Sequence, residues 1–410
     1  ISYFLEKCFL HCSNKFNTGA RPLQQKSCAT PAFLPAFTYY GGHLHLQTDA
    51  AQSRLEGMNA FAEKIQSYLN EHYADDEWPS LRHQAAEWAT TMPLQGLKIL
   101  DATPIYRNTL AKFMVLLAAG AEVYVPERTL MPRNPHIAAM LPEFGIRTAT
   151  KDDIFDMILD CAGSCAHLMP RLGYAELTRS GVPAYERTKR PVIVADSGLI
   201  KKIETGLGTG ESLFRALEQL GYADFAGRHI AVVGYGKVGR GIVHYARRHE
   251  MEVTVIDTVD KSAELPDGVH FVDVHDHAAL NDCAAHAWCL VTATGKFNAL
   301  HNRLDVETVM NHPILLANMG IDDEFGTKIP KSRVLNQKKP LNFILEEPTR
   351  MCFIETTMAL HNACALELLT ADLPRRCMPP PPDVEEKLIH IATTQGCREL
   401  HHLRLYLGAM

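Results

Sequence analysis

Short apolar runs alternate with amphipathic stretches along most of the chain. The alternation holds over residues 97–160 and again over residues 229–320. Short buried strands that alternate with helices are typical of a parallel sheet covered on both faces. Because 410 residues exceed the usual size of one hydrophobic core, the pattern predicts an α/β protein with two such domains.

The strands and helices are predicted from the period of their apolar positions. Strands are predicted at residues 98–100, 122–125, 147–148, 157–160, 191–195, 230–233, 253–256, 290–292 and 314–317. Helices are predicted at residues 50–73, 108–119, 134–143, 206–221, 237–248, 352–369 and 384–394. The helix at 206–221 is expected to follow a glycine-rich turn that leads into the second domain.

A glycine motif, G-x-G-x-x-G, lies between the strand at 230–233 and the helix at 237–248. Gly234 permits a tight turn, Gly236 lets the backbone approach a pyrophosphate, and Gly239 lets the helix pack closely on the sheet. The helix N–H groups then face the phosphates. Asp257 ends the next strand, where a carboxylate accepts hydrogen bonds from ribose hydroxyls and repels a 2′-phosphate. The sequence predicts NAD binding.

NADP is the alternative cofactor, since arginines follow the motif at Arg240, Arg247 and Arg248. They precede the second strand and are expected on the solvated face of the helix, which favours NAD. Two later strands end in Thr292–Gly295 and Asn318–Gly320. Because ligands bind at the carboxyl ends of strands in open α/β sheets, both segments are predicted walls of the cofactor site.

The predicted organisation is a Rossmann-type NAD-binding domain inserted in a second α/β domain that binds the substrate. The boundaries are an extension at 1–50, substrate domain at 51–205, NAD-binding domain at 206–334, substrate-domain return at 335–375 and a C-terminal tail helix at 376–410. The substrate is expected in the cleft between the domains. Closure about the linkers near 200–210 and 330–345 would exclude water.

Composition excludes several classes of partner. A formal net charge of -6 and a pI near 6.4 provide no basic surface for nucleic acid or an anionic membrane. The longest apolar stretch, near 113–121, is shorter than a membrane span, and no secretory leader is evident, so a cytoplasmic protein is expected. The eleven cysteines and twenty histidines lack metal-ligand spacing, and no metal is predicted.

Four motifs in this order resemble the adenosylhomocysteinase family, the NAD-dependent S-adenosylhomocysteine hydrolases. They are GTGESL at 208–213, GYGKVGRG at 234–241, VTATG at 291–295 and ANMGIDDEF at 317–325. The resemblance extends over about 97–373 and includes AGAEV at 119–123, MILD at 157–160, ELTRSGV at 176–182 and Asn342. It implies NAD that is reduced and reoxidised within one turnover, and a homo-oligomer, a dimer or a tetramer. It also implies a small-molecule substrate whose ribose hydroxyl is oxidised, after which homocysteine is eliminated and water added.

On the NAD side, the glycine motif and the resemblance together predict a set of cofactor-binding residues. They are Gly234, Gly236, Lys237, Val238, Gly239, Asp257, Thr178, Thr292, Thr294, Gly295, Asn318, Met319, Gly320 and Asn342.

The substrate side departs from the family pattern. The three histidines of the family fall on Pro104, Ile321 and Thr349, which removes the groups able to move protons at neutral pH. The family lysine falls near Ile200, with Lys201 and Lys202 beside it, and its neighbouring aspartate and asparagine fall on Glu204 and Thr205.

The catalytic candidates are therefore residues that neighbour or match the family's acids and bases. They are Lys201, Lys202, Glu204, Asp160 and Glu176. Lys201 and Lys202 either bind a substrate carboxylate or, if desolvated, act as a base; a solvated linker pair is the alternative. Arg107 is a candidate clamp for a carboxylate or phosphate, Asp323 a candidate site wall, and His361 is expected to be structural.

The preferred hypothesis is an NAD enzyme that transfers a hydride at a hydroxyl-bearing carbon of a polar metabolite other than S-adenosylhomocysteine. Genuine hydrolysis of S-adenosylhomocysteine with replaced acid and base groups is the second hypothesis. A catalytically silent NAD-binding protein that regulates partners is the third.

Overall fold

The structure is a computed structural model that describes residues 39–40, 43–44, 49–129, 131–196, 198–370 and 372–401. The predicted extension at 1–50 lies almost wholly outside these residues. Within it, strand β1 (Tyr39–Tyr40) pairs antiparallel with β2 (His43–Leu44). No helix in the described ranges is long and apolar enough to cross a membrane.

The first sheet of the region after residue 53 is wholly parallel. Its described strands, in chain order, are β3 (Lys98–Asp101), β4 (Glu122–Val125), β5 (Arg147–Thr148), β6 (Met157–Asp160), β7 (Gly173–Glu176), β8 (Val192–Val194) and β14 (Cys377–Met378). Their spatial order is β14-β8-β7-β6-β3-β4-β5. The strand order reverses direction between β3 and β6, as in a doubly wound fold.

The second sheet is also parallel, and it contains the glycine motif. It is formed by β9 (His229–Val233), β10 (Glu252–Asp257), β11 (Val269–Asp273), β12 (Cys289–Thr292) and β13 (Leu315–Asn318). The order β11-β10-β9-β12-β13 is that of a Rossmann domain. The predicted α/β class with a Rossmann-type domain is therefore confirmed.

Helices cover the faces of both sheets, and each sheet together with its helices is called a lobe here. The helices of the first lobe, around the first sheet, are α1 (Asp49–Asn70), α2 (Pro79–Thr91), α3 (Thr109–Ala118), α4 (Pro135–Met140), α5 (Leu199–Lys202), α10 (Met351–Thr370), α11 (Pro382–Gln395) and α12 (Arg398–His401). Those around the second sheet are α6 (Thr209–Gln219), α7 (Lys237–Arg248), α8 (His277–His286) and α9 (Val306–Asn311). Every residue of α3 is buried, in agreement with its nearly continuous apolar sequence.

A continuous helical run leads from the first lobe into the second. The prediction of a glycine-rich turn before the helix at 206–221 is therefore wrong. Helix α5 passes through a π-helical segment, Ile203–Gly208, directly into α6. The glycines allow close helix packing instead: a Cβ on Gly241 would lie 1.8 Å from the carbonyl oxygen of Gly206, and one on Gly210 would lie 2.4 Å from the Gly241 carbonyl carbon. Helix α7 can therefore lie directly against the connecting run.

Residues 377–401 are not a separate tail. Strand β14 pairs with β8 as a strand of the first sheet, and helix α11 packs on α10. Leu388 of α11 belongs to the same buried cluster as the core of α3. The described part of the segment predicted as a tail therefore contributes to the first lobe.

Candidate functional site

The turn after β9 has the geometry that a dinucleotide requires. Gly234 has φ +95°, a conformation that favours glycine, and a Cβ there would lie 2.8 Å from the carbonyl oxygen of Ala293. A Cβ on Gly239 would lie 1.9 Å from the Gly234 carbonyl oxygen. At Gly236, by contrast, an added Cβ would meet no described atom within 4 Å. The turn is thus closed on its protein side and open where a pyrophosphate would approach.

Asp257 lies at the end of β10 beside this turn. Its Oδ2 accepts a hydrogen bond from the backbone N–H of Tyr235 at 2.7 Å, and its Oδ1 accepts one from Thr258 at 2.6 Å. The carboxylate therefore holds the glycine turn against the end of the neighbouring strand, in the position predicted for a ribose ligand.

A cavity of about 560 Å³ opens at the carboxyl ends of β9, β10 and β12. Four predicted cofactor residues line it: Gly234, Gly236, Asp257 and Thr294. Further lining residues that the sequence did not indicate include Thr258, Lys261, Phe297, Asn298, His301 and Arg303. The volume lies within the range of small-molecule and cofactor sites.

Two buried polar atoms of this cavity wall lack a partner among the described residues, namely Asn298 Oδ1 and His301 Nδ1. They lie beneath the cavity surface, and His301 Nδ1 faces Gly326. The features that fit NAD are the open face at Gly236, where a pyrophosphate can approach, and the carboxylate of Asp257, which suits a ribose.

The predicted walls after β12 and β13 are held by buried hydrogen bonds. Asn318 accepts a hydrogen bond from the Thr292 hydroxyl at 2.9 Å, and its amide donates to the backbone oxygens of Asp322 and Lys338 at 2.8 and 2.6 Å. Met319 is buried, and Gly320 has no room for a side chain because of Glu324. These residues shape the wall from behind and do not line the cavity.

Glu324 is a structural residue of the site that the sequence reading missed. Its side chain is fully buried and accepts hydrogen bonds from Thr294 N, Thr294 Oγ1 and Gly295 N, all within 2.8 Å. Burial raises the pKa of this carboxyl, although the three donors favour its charged form. Its position as the last acid of the IDDE run was the only signal in the sequence.

The side chain of Asp323, predicted as a site wall, instead stabilises the loop that follows β13. It forms an ion pair with buried Lys338 at 2.8 Å and accepts hydrogen bonds from Phe325 N and Gly326 N. The return segment continues to Asn342, which is buried at the end of this loop region.

The catalytic candidates Asp160 and Glu176 lie at the ends of adjacent strands, and both are fully buried. Asp160 accepts hydrogen bonds from Tyr185 OH at 2.5 Å, Ser164 Oγ at 2.7 Å and two backbone N–H groups. Because both carboxylate oxygens of Asp160 accept these hydrogen bonds, the side chain holds the loop after β6 in place.

Glu176 has a similar environment. It accepts hydrogen bonds from the backbone N–H groups of Ala162 and Gly163 at 2.9 and 3.0 Å, and from Thr178 N and Oγ1. Thr178, predicted to bind the cofactor, thereby directs its hydroxyl proton to Glu176. Both acids organise loops at the carboxyl ends of interior strands of the first sheet.

Lys201 and Lys202 have different environments. Lys201 is only 5% exposed and its Nζ lies 2.8 Å from Glu204 Oε2, whereas Lys202 is half-buried. Burial alone would lower the pKa of Lys201, but the carboxylates of Glu204 and Asp196 raise it above its usual value. An ammonium paired with a carboxylate in this way is a poor base, so the geometry disfavours the predicted role of Lys201 as a desolvated base.

The positions that replace the family's imidazoles carry no proton-transfer group. Ile321 is 78% exposed after β13, and Pro104 and Thr349 are half-buried. The segment around Thr349 is held by Asn108, whose amide donates to the Thr349 carbonyl oxygen at 2.9 Å. Arg107, predicted to clamp a carboxylate or phosphate of the ligand, instead forms an ion pair with Glu346 of the same segment.

His361 is structural, as expected. Its ring is fully buried and its Nε2 lies 2.9 Å from the carbonyl oxygen of Ala175 on β7. Burial, with the Lys112 cation nearby, lowers the pKa of His361 to about 3, so the imidazole is neutral. It cannot supply the missing acid–base function at neutral pH.

Comparison with known proteins agrees with this geometry. Residues 206–341 match the family described as S-adenosyl-L-homocysteine hydrolase, NAD binding domain. Adenosylhomocysteinase from Thermococcus kodakarensis is 26% identical over 62% of this chain and 66% of its own length. S-inosyl-L-homocysteine hydrolase from Methanopyrus kandleri is 26% identical over 63% of this chain and 66% of its own. Adenosylhomocysteinase from Thermoplasma volcanium is 22% identical over 82% and 95%.

The family match lies on the second sheet, where the glycine turn, Asp257 and the cavity are found, and it identifies NAD as the cofactor. The low identity agrees with the replaced positions in the first lobe. The chain is similar to the S-adenosyl-L-homocysteine hydrolase family, whose NAD-binding domain matches residues 206–341.

Proposed function

We propose that this protein is an NAD-dependent enzyme that transfers a hydride at a hydroxyl-bearing carbon of a polar small molecule other than S-adenosylhomocysteine. NAD supplies the hydride acceptor when bound. The observation that carries the proposal is the contrast between the two lobes. The glycine turn keeps its open face at Gly236, while Pro104, Ile321 and Thr349 stand where the family has imidazoles.

Oxidation of a hydroxyl needs a group that accepts its proton. Glu204 is the candidate: its side chain is 18% exposed, and Lys201 donates to its Oε2 at 2.8 Å. The ammonium of Lys201 holds the carboxylate in place and lowers the cost of its charge in a partly buried position. Asp160 and Glu176, in contrast, keep the adjoining loops in position and take no proton from the substrate.

Hydrolysis of an S-nucleosylhomocysteine is the second candidate, because relatives with that activity in their names match much of the chain. It also requires proton transfer during elimination and addition, and the lost imidazoles disfavour it. Regulation of partners by a catalytically silent NAD-binding protein is the third. The assembly proposed is a homo-oligomer, which light scattering on the purified chain measures directly.

The experiment uses protein loaded with NAD and a panel of substrates. The panel contains S-adenosylhomocysteine, S-inosylhomocysteine, free nucleosides and small hydroxy acids, and the readouts are absorbance of reduced nicotinamide and mass spectrometry of products. We expect reduction of NAD with one hydroxylated class and no release of homocysteine. Release of homocysteine with a nucleoside would favour hydrolysis, and no change with any compound would favour the silent protein; either result overturns the proposal.

A pair of variants tests the role of Glu204. Glu204→Gln keeps the size of the side chain but cannot accept a proton, so we expect the rate of hydride transfer to fall by roughly 100-fold or more while NAD still binds. The matched control is Glu186→Gln, at an exposed acid of the same lobe, which should keep the wild-type rate.

A further inference from the structure

Two thiols and a carboxylate converge near the start of α10, and none of these three residues lines the cofactor cavity. Cys352 Sγ lies 3.9 Å from Glu399 Oε2, and Cys397 Sγ lies 4.0 Å from the same oxygen. All three ligand atoms lie within 4.8 Å of one another. Cys352 belongs to the first turn of α10, whereas Cys397 and Glu399 lie at the junction of α11 and α12, so the group joins elements 45 residues apart or more in the sequence.

We propose that Cys352, Cys397 and Glu399 bind one zinc ion, with a fourth position left for water or another ligand. Zinc in proteins takes thiolate sulfur at about 2.3 Å and carboxylate oxygen at about 2.0–2.2 Å in tetrahedral geometry. Those bond lengths place neighbouring ligand atoms roughly 3.5–3.8 Å apart. The two sulfur–oxygen distances in the structure are therefore within a few tenths of an ångström of a zinc tetrahedron.

The charges around the three ligands suit a dication. Two thiolates, a carboxylate and Zn²⁺ carry a net charge of about −1, and the guanidinium of Arg350, with Nη1 3.3 Å from Glu399 Oε2, offsets it. On binding, the thiols that are protonated release their protons to solvent as the two sulfur–metal bonds form.

The surroundings favour a structural site. Cys352 lies in a buried apolar cluster with Ile203 and Leu207 of the π-helical segment, and Leu400 of α12 completes it. Tyr245 of α7 packs against the same cluster. A metal here would fasten the C-terminal helices to the run that joins the two lobes. This proposal does not depend on the activity proposed above.

The test is metal binding by the full chain, reduced and stripped with a chelator, with Co²⁺ as a spectroscopic probe and Zn²⁺ as its competitor. We expect one Co²⁺ per chain with a thiolate-to-cobalt charge-transfer band that Zn²⁺ abolishes. Cys397→Ser should lose the band, and Glu399→Gln should weaken Co²⁺ binding by roughly tenfold or more. Cys377→Ser, a half-buried thiol on β14, is the control and should keep the band.

Each variant is checked for folding by circular dichroism and by NAD binding. Cys397 is the preferred position for substitution because its side chain is only partly buried, whereas Cys352 is fully buried. The proposal is overturned if the reduced wild-type protein shows no charge-transfer band, or if folded Cys397→Ser keeps it. A Cys352–Cys397 disulfide in a protein that takes up no metal when reduced would also overturn it, in favour of a redox pair.

Discussion

Lys237 donates a hydrogen bond to Asp196 across 3.0 Å, and the two residues follow strands of different sheets. Lys237 is the first residue of the helix after the glycine turn, and Asp196 follows β8 of the first lobe. Asp196 also accepts a hydrogen bond from the backbone N–H of Arg179 at 2.5 Å. The turn that faces the cofactor is thereby tied to a loop of the opposite lobe.

The two partners should differ in their contribution to stability. Lys237 is 39% exposed, so Lys237→Met should lower the free energy of unfolding by at most about 1 kcal/mol. Asp196→Ala also leaves the Arg179 N–H without its acceptor, and it should cost about 1–2 kcal/mol more. Urea denaturation of both variants measures the difference. Equal losses would show that the backbone hydrogen bond contributes nothing.

Gly236→Ala should separate cofactor binding from folding. The added methyl group meets no described atom and the backbone there, φ −80°, suits alanine, so the free energy of unfolding should change by less than about 0.5 kcal/mol. The methyl group would occupy the pyrophosphate approach, and NAD affinity should fall by roughly tenfold or more, about 1.4 kcal/mol. Gly57→Ala in α1 is the control, with NAD affinity unchanged. An unaltered affinity in Gly236→Ala would place the phosphates elsewhere.

Asp257→Asn tests the choice between NAD and NADP. Loss of the charge removes the repulsion of a 2′-phosphate, so the ratio of the NADP to the NAD dissociation constant should fall by roughly tenfold or more. The side-chain amide of the variant also replaces a carboxylate that accepts hydrogen bonds from two backbone N–H groups. This change should lower the free energy of unfolding by about 1–3 kcal/mol. Asp260→Asn, at an exposed acid of the next turn, should keep the wild-type ratio.

His361 should make stability depend on pH on the acid side. Its pKa is about 3 in the folded protein and about 6.5 when unfolded, so the unfolded chain binds more protons between these values and stability falls with falling pH. Between pH 7 and pH 5 this loss amounts to about 2 kcal/mol. His361→Gln keeps a donor for the Ala175 carbonyl but does not titrate. Urea denaturation at both pH values should show that much less acid destabilisation in the variant.

Sequence patterns located the strands of the second sheet to within one or two residues, because a strand buried on both faces needs an unbroken apolar run. They missed β11 (Val269–Asp273), an edge strand whose residues are half-buried or exposed. They also missed β7 (Gly173–Glu176), because its glycine and glutamate interrupt the apolar pattern expected of a buried strand. Helix α2 (Pro79–Thr91) was also missed, since only a few of its residues are apolar and buried.

The glycine turn could be predicted because its chemistry is local. Glu324 could not, because it contacts Thr294 across 30 residues, and Lys237 reaches Asp196 across 41. The roles of Gly206 and Gly210 also depend on the close approach of another helix, so the same glycines that suggested a turn lie inside a helical run. Contacts between distant segments decide which polar residues hold loops and which face the cavity.

Calorimetric titration of NAD into the wild-type protein, freed of copurified nucleotide, tests the central claim most directly. We predict one NAD bound per chain, with much weaker heat from NADP under the same conditions. Absence of heat with both NAD and NADH, from protein shown to be folded and with no shift of its melting temperature, would contradict the account.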